Sequence, residues 1–130
     1  MQAPPGVGVD PGLQSISDRD YDAGRSVYLR QCADCHGERG QGRPSIAPAL
    51  AGDRAVTLRS ATNLIRIVLF GGFPPGTSLN ARPSGMAPYY PFLHDDEIAS
   101  ALTYVRGSWG NAAGPVSALE VSDNRGSPLW

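Results

Sequence analysis

At 130 residues, 41% hydrophobic and 18% charged, the chain reads as one globular domain rather than a disordered or fibrous polypeptide. Its net charge of −1, with all eleven basic residues Arg and no Lys, excludes a basic nucleic-acid face and any docking surface built on lysines. No apolar run reaches the roughly 18 residues that a membrane-spanning helix requires. The 16 Gly and 12 Pro make up more than a fifth of the chain, so long loops are expected. A chain so rich in loops needs an internal scaffold around which to build a core.

Residues 1–19 are rich in Pro, Gly and Ser without periodicity and read as an extended arm or linker. Met1-Gln2-Ala3-Pro4-Pro5 has neither the basic nor the apolar region of a secretion leader. The chain is therefore expected to be a mature form or a domain of a longer one, with Met1 an addition. A first helix is predicted from an N-cap near Ser17 or Asp18, through Tyr21, Gly24, Val27 and Tyr28, to about Ala33.

The helix runs into Cys32-Ala33-Asp34-Cys35-His36, a CxxCH motif, which is the attachment signature of a c-type haem. On a helical turn, positions i, i+3 and i+4 share a face. Cys32 and Cys35 can then form thioethers to the two vinyl groups on one porphyrin edge, while His36 offers an imidazole to the iron. A zinc site needs four ligands, and the chain has two cysteines. A thioredoxin-like dithiol would sit in a βαβ pattern, and strand-like alternation is nearly absent. One covalent haem c is the expected cofactor and supplies the missing scaffold.

Residues 37–53 are predicted as a loop closed by Pro48-Ala49-Leu50-Ala51-Gly52. A second helix is predicted over Thr57 to Phe70, with Leu58, Ala61, Leu64, Ile65, Val68 and Leu69 at the 3.6-residue period and Gly71-Gly72 as its stop. The irregular stretch 71–92, carrying Pro74, Pro75, Pro83, Pro88 and Pro91, is the kind of long loop that is functional or disordered. It contains Met86, which favours function. A last helix is expected from His94 or Asp95 to about Ser108, with Ile98, Ala101, Leu102, Val105 and Trp109 as its buried stripe. Asp95, Asp96 and Glu97 complement the helix dipole in its first turn. The predicted organisation is an arm (1–19), a core domain (20–110) and a C-terminal extension (111–130) that reads as an irregular tail.

Few residues can supply a second axial ligand. Met1 is terminal, and Met86 is the other Met. Between Gly85 and Pro88, Met86 sits in a loop stiff enough to present one thioether to the open haem face, although a Met can also simply fill a core gap. His94 reads more simply as a helix N-cap beside three carboxylates.

These features resemble the class I cytochromes c over about residues 20–109. The resemblance implies an all-α fold of three to four helices and long loops wrapped around one covalent haem. It places Gly24, Tyr28 and Tyr104 at the contact between the first and last helices of that fold. It gives Pro48 the carbonyl that accepts a hydrogen bond from the proximal His36, lays Leu50 on the haem and makes Met86 the distal ligand. Leu64–Gly72, Met86–Pro91 and Ser108-Trp109-Gly110-Asn111 are also similar to the haem domains of cytochrome c subunits of quinoprotein alcohol dehydrogenases. That similarity implies a periplasmic one-electron carrier rather than an enzyme. It would accept electrons from a dehydrogenase and pass them to a terminal oxidase or other acceptor. With no Lys and few charges nearby, the docking rim around Cys32, Ala33, Cys35 and Gly85 to Tyr89 is expected to be largely apolar, with Arg43 or Arg82 at its border. Two alternatives remain open at this point: a haem enzyme of peroxidase type, which needs a distal base and an oriented Arg, and a gas-binding sensor, which needs a vacant sixth position.

Overall fold

The computed structural model describes residues 18–72 and 85–126, with side chains from Tyr21 onward. Residues 1–17 of the N-terminal arm, Pro74, Pro75, Arg82 and Pro83 lie outside the described residues, whereas Asp18 and Arg19, also read as arm, open a helix. The described residues form six helices and no strand: α1 (Asp18–Gln31), α2 (Ala33–His36), α3 (Arg54–Thr57), α4 (Thr62–Phe70), α5 (Asp95–Arg106) and α6 (Ala118–Arg125).

Helix α1 buries Gly24, Val27 and Tyr28 on one face, the i, i+3, i+4 spacing of an amphipathic helix. That face lies against α5. At the crossing, a Cβ on Gly24 would sit 2.0 Å from the Ser100 carbonyl oxygen and 2.9 Å from the Tyr104 Cβ, so only a residue without a side chain permits this approach. Around it the aromatic rings interlock. Tyr21 and Tyr104 meet edge-on with centroids 5.0 Å apart, and Trp109 meets Tyr28 at 5.1 Å and Tyr104 at 5.5 Å, the separations at which aromatic pairs attract.

Helix α5 is the centre of the domain. Its residues Ile98 to Arg106 are buried on nearly every side apart from Ser100, because α1 covers one flank while α6 and α4 cover another. Buried Arg106 resolves the polarity this creates. Its Nε donates to Gly114 O (2.8 Å), and one of its terminal nitrogens donates to Val56 O (3.0 Å) and Leu58 O (2.7 Å). Burial pulls the Arg106 pKa down from its ordinary value, while Glu120 pulls it back up.

Two elements depart from the sequence reading. The helix expected over Thr57–Phe70 begins only at Thr62, as α4, and a separate short helix, α3, ends at Thr57. Leu58 adopts an extended conformation (φ −56°, ψ 147°), and the Ser60 hydroxyl accepts from the Thr62 amide (3.3 Å), a local bond that competes with helix propagation. Leu58 is consequently half exposed rather than part of the buried stripe. The extension expected to be an irregular tail contains α6. Ser117-Ala118-Leu119-Glu120 is a capping box: the Glu120 amide donates to Ser117 Oγ (3.1 Å), and the Ser117 amide donates to Glu120 Oε1 (3.1 Å). Val121 from α6 is fully buried in the cluster that holds Ile65, Leu69, Ile98 and Leu102.

The α1–α5 crossing generates a prediction. Gly24→Ala forces the Ser100 backbone away and should cost about 1–3 kcal/mol of unfolding free energy, the range of overpacking in a close-packed core. Chemical denaturation of the haem-loaded protein measures it, and an unchanged midpoint would mean that the crossing is looser than described.

Candidate functional site

The site begins where α1 ends. The Cys32 amide still bonds back to Tyr28 O (2.8 Å), and the amides of Cys35 and His36 both bond to Cys32 O (3.2 and 2.9 Å). This makes one short helical turn that gathers the two thiols and the imidazole. The thiols are not joined in a disulfide, and Cys35 is exposed. Burial pushes the Cys32 thiol up to about 11, with Cys35 adding to the shift. A nucleophilic redox dithiol needs the opposite shift.

The turn stops at Gly37, whose φ is +89°, and the loop after it folds back over His36. The Leu50 and Ala51 amides bond to Gly40 O (2.7 and 3.0 Å), and the Gly42 amide bonds to His36 O (2.6 Å). A Cβ on Gly42 would lie 2.6 Å from the Ala49 nitrogen, so this return also needs glycine. The fold-back brings Pro48 O to 2.9 Å from His36 Nδ1. A carbonyl oxygen only accepts, so Nδ1 carries the proton and Nε2 is left with its lone pair. Such an outer bond fixes a ligand's tautomer and orientation.

Asn111 braces this loop from outside. Its side-chain amide donates to Leu50 O (3.2 Å) and Val105 O (2.9 Å), and its Oδ1 accepts from the Gly52 amide (2.9 Å). Leu50 is half buried against the cluster of Tyr28, Val56 and Tyr104.

Met86 is half buried and lies on the segment that returns beside α4. Gly72 and Met86 exchange both backbone hydrogen bonds (3.1 and 2.7 Å), and the Tyr89 and Tyr90 amides bond to Val68 O (2.9 Å) and Leu69 O (3.0 Å). Gly71, at φ +75°, stands where a Cβ would be 2.5 Å from Met86 O. The Tyr89 hydroxyl donates to Gln31 O (2.7 Å), which carries the Met86 segment across to the residue before Cys32. Burial raises the Tyr89 pKa, and the nearby Cys32 and Cys35 raise it further. His94 takes no part in this assembly: it is the exposed N-cap of α5, its amide donating to Glu97 Oε1 (2.9 Å). Arg43 lies beyond the CxxCH turn, in a cavity of about 830 Å³ lined also by Arg25, Arg39, Asp34 and Glu38. That cavity is polar and of mixed charge, and of the residues expected to frame the docking rim it includes Ala33.

The residues present fit a covalently held porphyrin. Two free thiols sit beside an imidazole whose outer nitrogen is already satisfied. A loop-borne thioether lies on a segment tied to the same turn. Partly exposed apolar side chains, Leu50, Leu64, Val68, Phe70 and Tyr89, edge the two core clusters and offer the surface that a flat apolar group would cover. Sequence reasoning missed the bracing roles of Tyr28 (hydroxyl to Gly37 O, 2.7 Å), Tyr89 and Asn111, since hydrogen bonds between distant segments leave no periodic trace.

A helical, loop-rich fold with a CxxCH turn and a carbonyl-backed histidine is the architecture of a haem-binding electron-transfer domain. A model of the cytochrome c family matches residues 21–109. The chain is 39% identical over 112 residues to the cytochrome c subunit of alcohol dehydrogenase (quinone) from Gluconobacter oxydans (strain 621H), covering 82% of this chain and 23% of that subunit. It is 34% identical over 108 residues to the gluconate 2-dehydrogenase cytochrome c subunit of Pantoea cypripedii, covering 82% and 24%. It is 32% identical over 114 residues to cytochrome c-552 of Thermus thermophilus, covering 82% and 86%. The chain therefore spans about a quarter of the dehydrogenase subunits it matches and most of the small cytochrome. The chain belongs to the cytochrome c family, whose cofactor is covalently bound haem c.

Fully buried Tyr28 makes stability depend on pH. Burial raises its pKa well above the ordinary tyrosine value, with Cys32 and Tyr104 adding to the shift. The unfolded chain releases the phenolic proton from about pH 10, while the folded chain keeps it. This contribution is therefore complete below that pH and is lost as pH rises through the native value. Denaturation midpoints should fall above about pH 10. Tyr28→Phe should be less stable near neutrality by about 1 kcal/mol for the lost bond to Gly37 and should fall less steeply. Parallel alkaline profiles for the two proteins would contradict this assignment.

Proposed function

We propose that Cys32 and Cys35 hold haem c by thioethers, that His36 and Met86 are its axial ligands, and that the protein carries single electrons from a periplasmic dehydrogenase towards a terminal oxidase or another acceptor. The observation that carries this reading is the 2.9 Å contact between His36 Nδ1 and Pro48 O, because it commits the imidazole to presenting Nε2. Bound there, haem c supplies a one-electron Fe(III)/Fe(II) couple, and an axial Met raises its potential. The chain's own residues do the rest. The 37–52 loop and Asn111 hold the imidazole in one orientation. Gly71 and Gly72 hold the Met86 segment close to α4, and Tyr89 ties that segment to the CxxCH turn. Rigid ligation of this kind limits the rearrangement that accompanies each electron.

A dehydrogenase as donor is supported by the relatives named as cytochrome c subunits of quinone alcohol dehydrogenase and gluconate 2-dehydrogenase. The electron-carrier reading is also supported by the relative named cytochrome c-552, of which the match covers 86%. Among the described residues, no helix is long and apolar enough to cross a membrane. Residues 20–110 are read as the haem domain and 111–130 as an extension to it. A peroxidase-like reading finds no support in the Met86 segment, where the residues from Gly85 to Leu93 include neither an acid nor an Arg.

Met86→Ala should leave the haem attached, since attachment depends on Cys32 and Cys35. It should also abolish the Met–Fe charge-transfer band and lower the midpoint potential. Spectroelectrochemistry of the two proteins measures both effects, and a variant that kept the band and the potential would remove Met86 from the ligand set. The mixed charges around Arg43 also bear on docking. Reduction by a diffusible dehydrogenase should change less than about tenfold between low and physiological ionic strength, where the Debye length is about 8 Å. A steeper fall would mean that charge steers the encounter.

A further inference from the structure

The matched family segment ends at residue 109, yet α6, which lies beyond it, is built into the domain. It packs on α4 and α5 and buries Val121 completely. At its last turn stands Arg125, whose contacts all lie on one stretch of chain a short way downstream of Met86. Nε donates to Asp95 Oδ1 (2.6 Å), and the two terminal nitrogens donate to Tyr90 O (2.6 Å) and Leu93 O (2.8 Å). The guanidinium also lies over the Tyr90 ring, 4.7 Å from its centroid. Tyr90 in turn stacks on Phe70 of α4, centroids 5.7 Å apart.

We infer that α6 is a clamp on the distal loop and that Arg125 is a positioning residue for Met86. This role for Arg125 rests on Met86 being the distal ligand. The described part of the Met86 segment runs from Gly85 to the start of α5 at Asp95. Its attachments at the Met86 end are backbone bonds to Gly72, Val68 and Leu69 and the bond from the Tyr89 hydroxyl to Gln31 O. At the other end, the carbonyls of Tyr90 and Leu93 and the carboxylate of Asp95 are gathered by one planar cation. A guanidinium suits this task because its donors form a rigid fork. Charge-assisted bonds of this type are stronger than neutral ones, and the cation over the Tyr90 face adds to them. Withdrawing the fork unties Leu93 O and Asp95 and leaves Tyr90 only its bond to Leu69 O and its stack on Phe70, so the thioether should leave its position more often, while the α1–α5 core is left intact.

The test is competition by added imidazole in the haem-loaded ferric protein, followed by loss of the Met–Fe charge-transfer band. Added imidazole can take the distal position only in the fraction of molecules whose loop is open, so its apparent affinity reports that fraction. Arg125→Ala should bind imidazole about tenfold or more tightly than wild type. Arg125→Lys, which keeps the charge but not the fork, should lie between the two. The far-UV unfolding midpoint should fall less than the temperature at which the band is lost. Met86→Ala, which needs no loop opening, sets the upper limit of imidazole affinity. Wild-type affinity in Arg125→Ala, with tighter binding in Met86→Ala, would overturn the clamp and leave Met86 as the ligand. Wild-type affinity in both would overturn the ligand reading and the clamp with it. A parallel loss of far-UV structure and band in Arg125→Ala would reduce Arg125 to general stability and also overturn the clamp. If Arg125→Ala does not fold, Arg125→Lys decides the matter by the same comparison.

Discussion

A neutral imidazole has one donor and one acceptor, and the bond from His36 Nδ1 to Pro48 O settles which nitrogen is which. Much of the proximal half of the domain serves that bond. To place a backbone carbonyl beside a side chain twelve residues earlier, the 37–52 loop must turn back twice. It does so through glycines at positive φ, Gly37, Gly40 and Gly42, with Gly40 leaving room for the Trp109 ring, from which a Cβ would be 2.5 Å. Trp109 itself, at φ +55°, is held among Tyr28, Tyr104 and that loop. The aromatic cluster at the α1–α5 crossing and the proximal loop are thus one packed unit. Asn111 closes it with three hydrogen bonds.

The distal half is built differently. Among the described residues its backbone bonds to α4 at Val68 and Leu69, and it is fastened from elsewhere by Tyr89 to the turn before Cys32 and by Arg125 from the C-terminal helix. Proximal rigidity therefore comes from local fold-back and aromatic packing, while distal rigidity comes from side chains that reach across long sequence separations. Ligands lost and regained by a protein of this design would be expected on the distal side.

Much of this was legible in the sequence. The CxxCH run, the apolar stripes of α1 and α5, the acids at the start of α5 and the Gly71-Gly72 stop each follow from local rules of spacing and capping. Gly24 was legible as a crossing point once the resemblance set it against Tyr104. The gap between α3 and α4 was not, because Leu58 continues the helical period in sequence while its backbone leaves it. Helix α6 carried a readable signal in Ser117 and Glu120, but its weakly amphipathic face, with Leu119 69% exposed and Val121 inside, hid it among the residues of a tail. The roles of Asn111 and Arg125 depend on carbonyls 61 and 35 residues away, and no pattern in one sequence links such pairs.

The central claim is that His36, oriented by Pro48, and Met86, carried by the α4 return segment, converge on one iron. X-ray absorption at the iron edge of the haem-loaded protein tests this without mutation. The account predicts a sulphur neighbour and an imidazole nitrogen in addition to the porphyrin nitrogens. An iron with no sulphur in its first shell, or with two imidazoles, would contradict it.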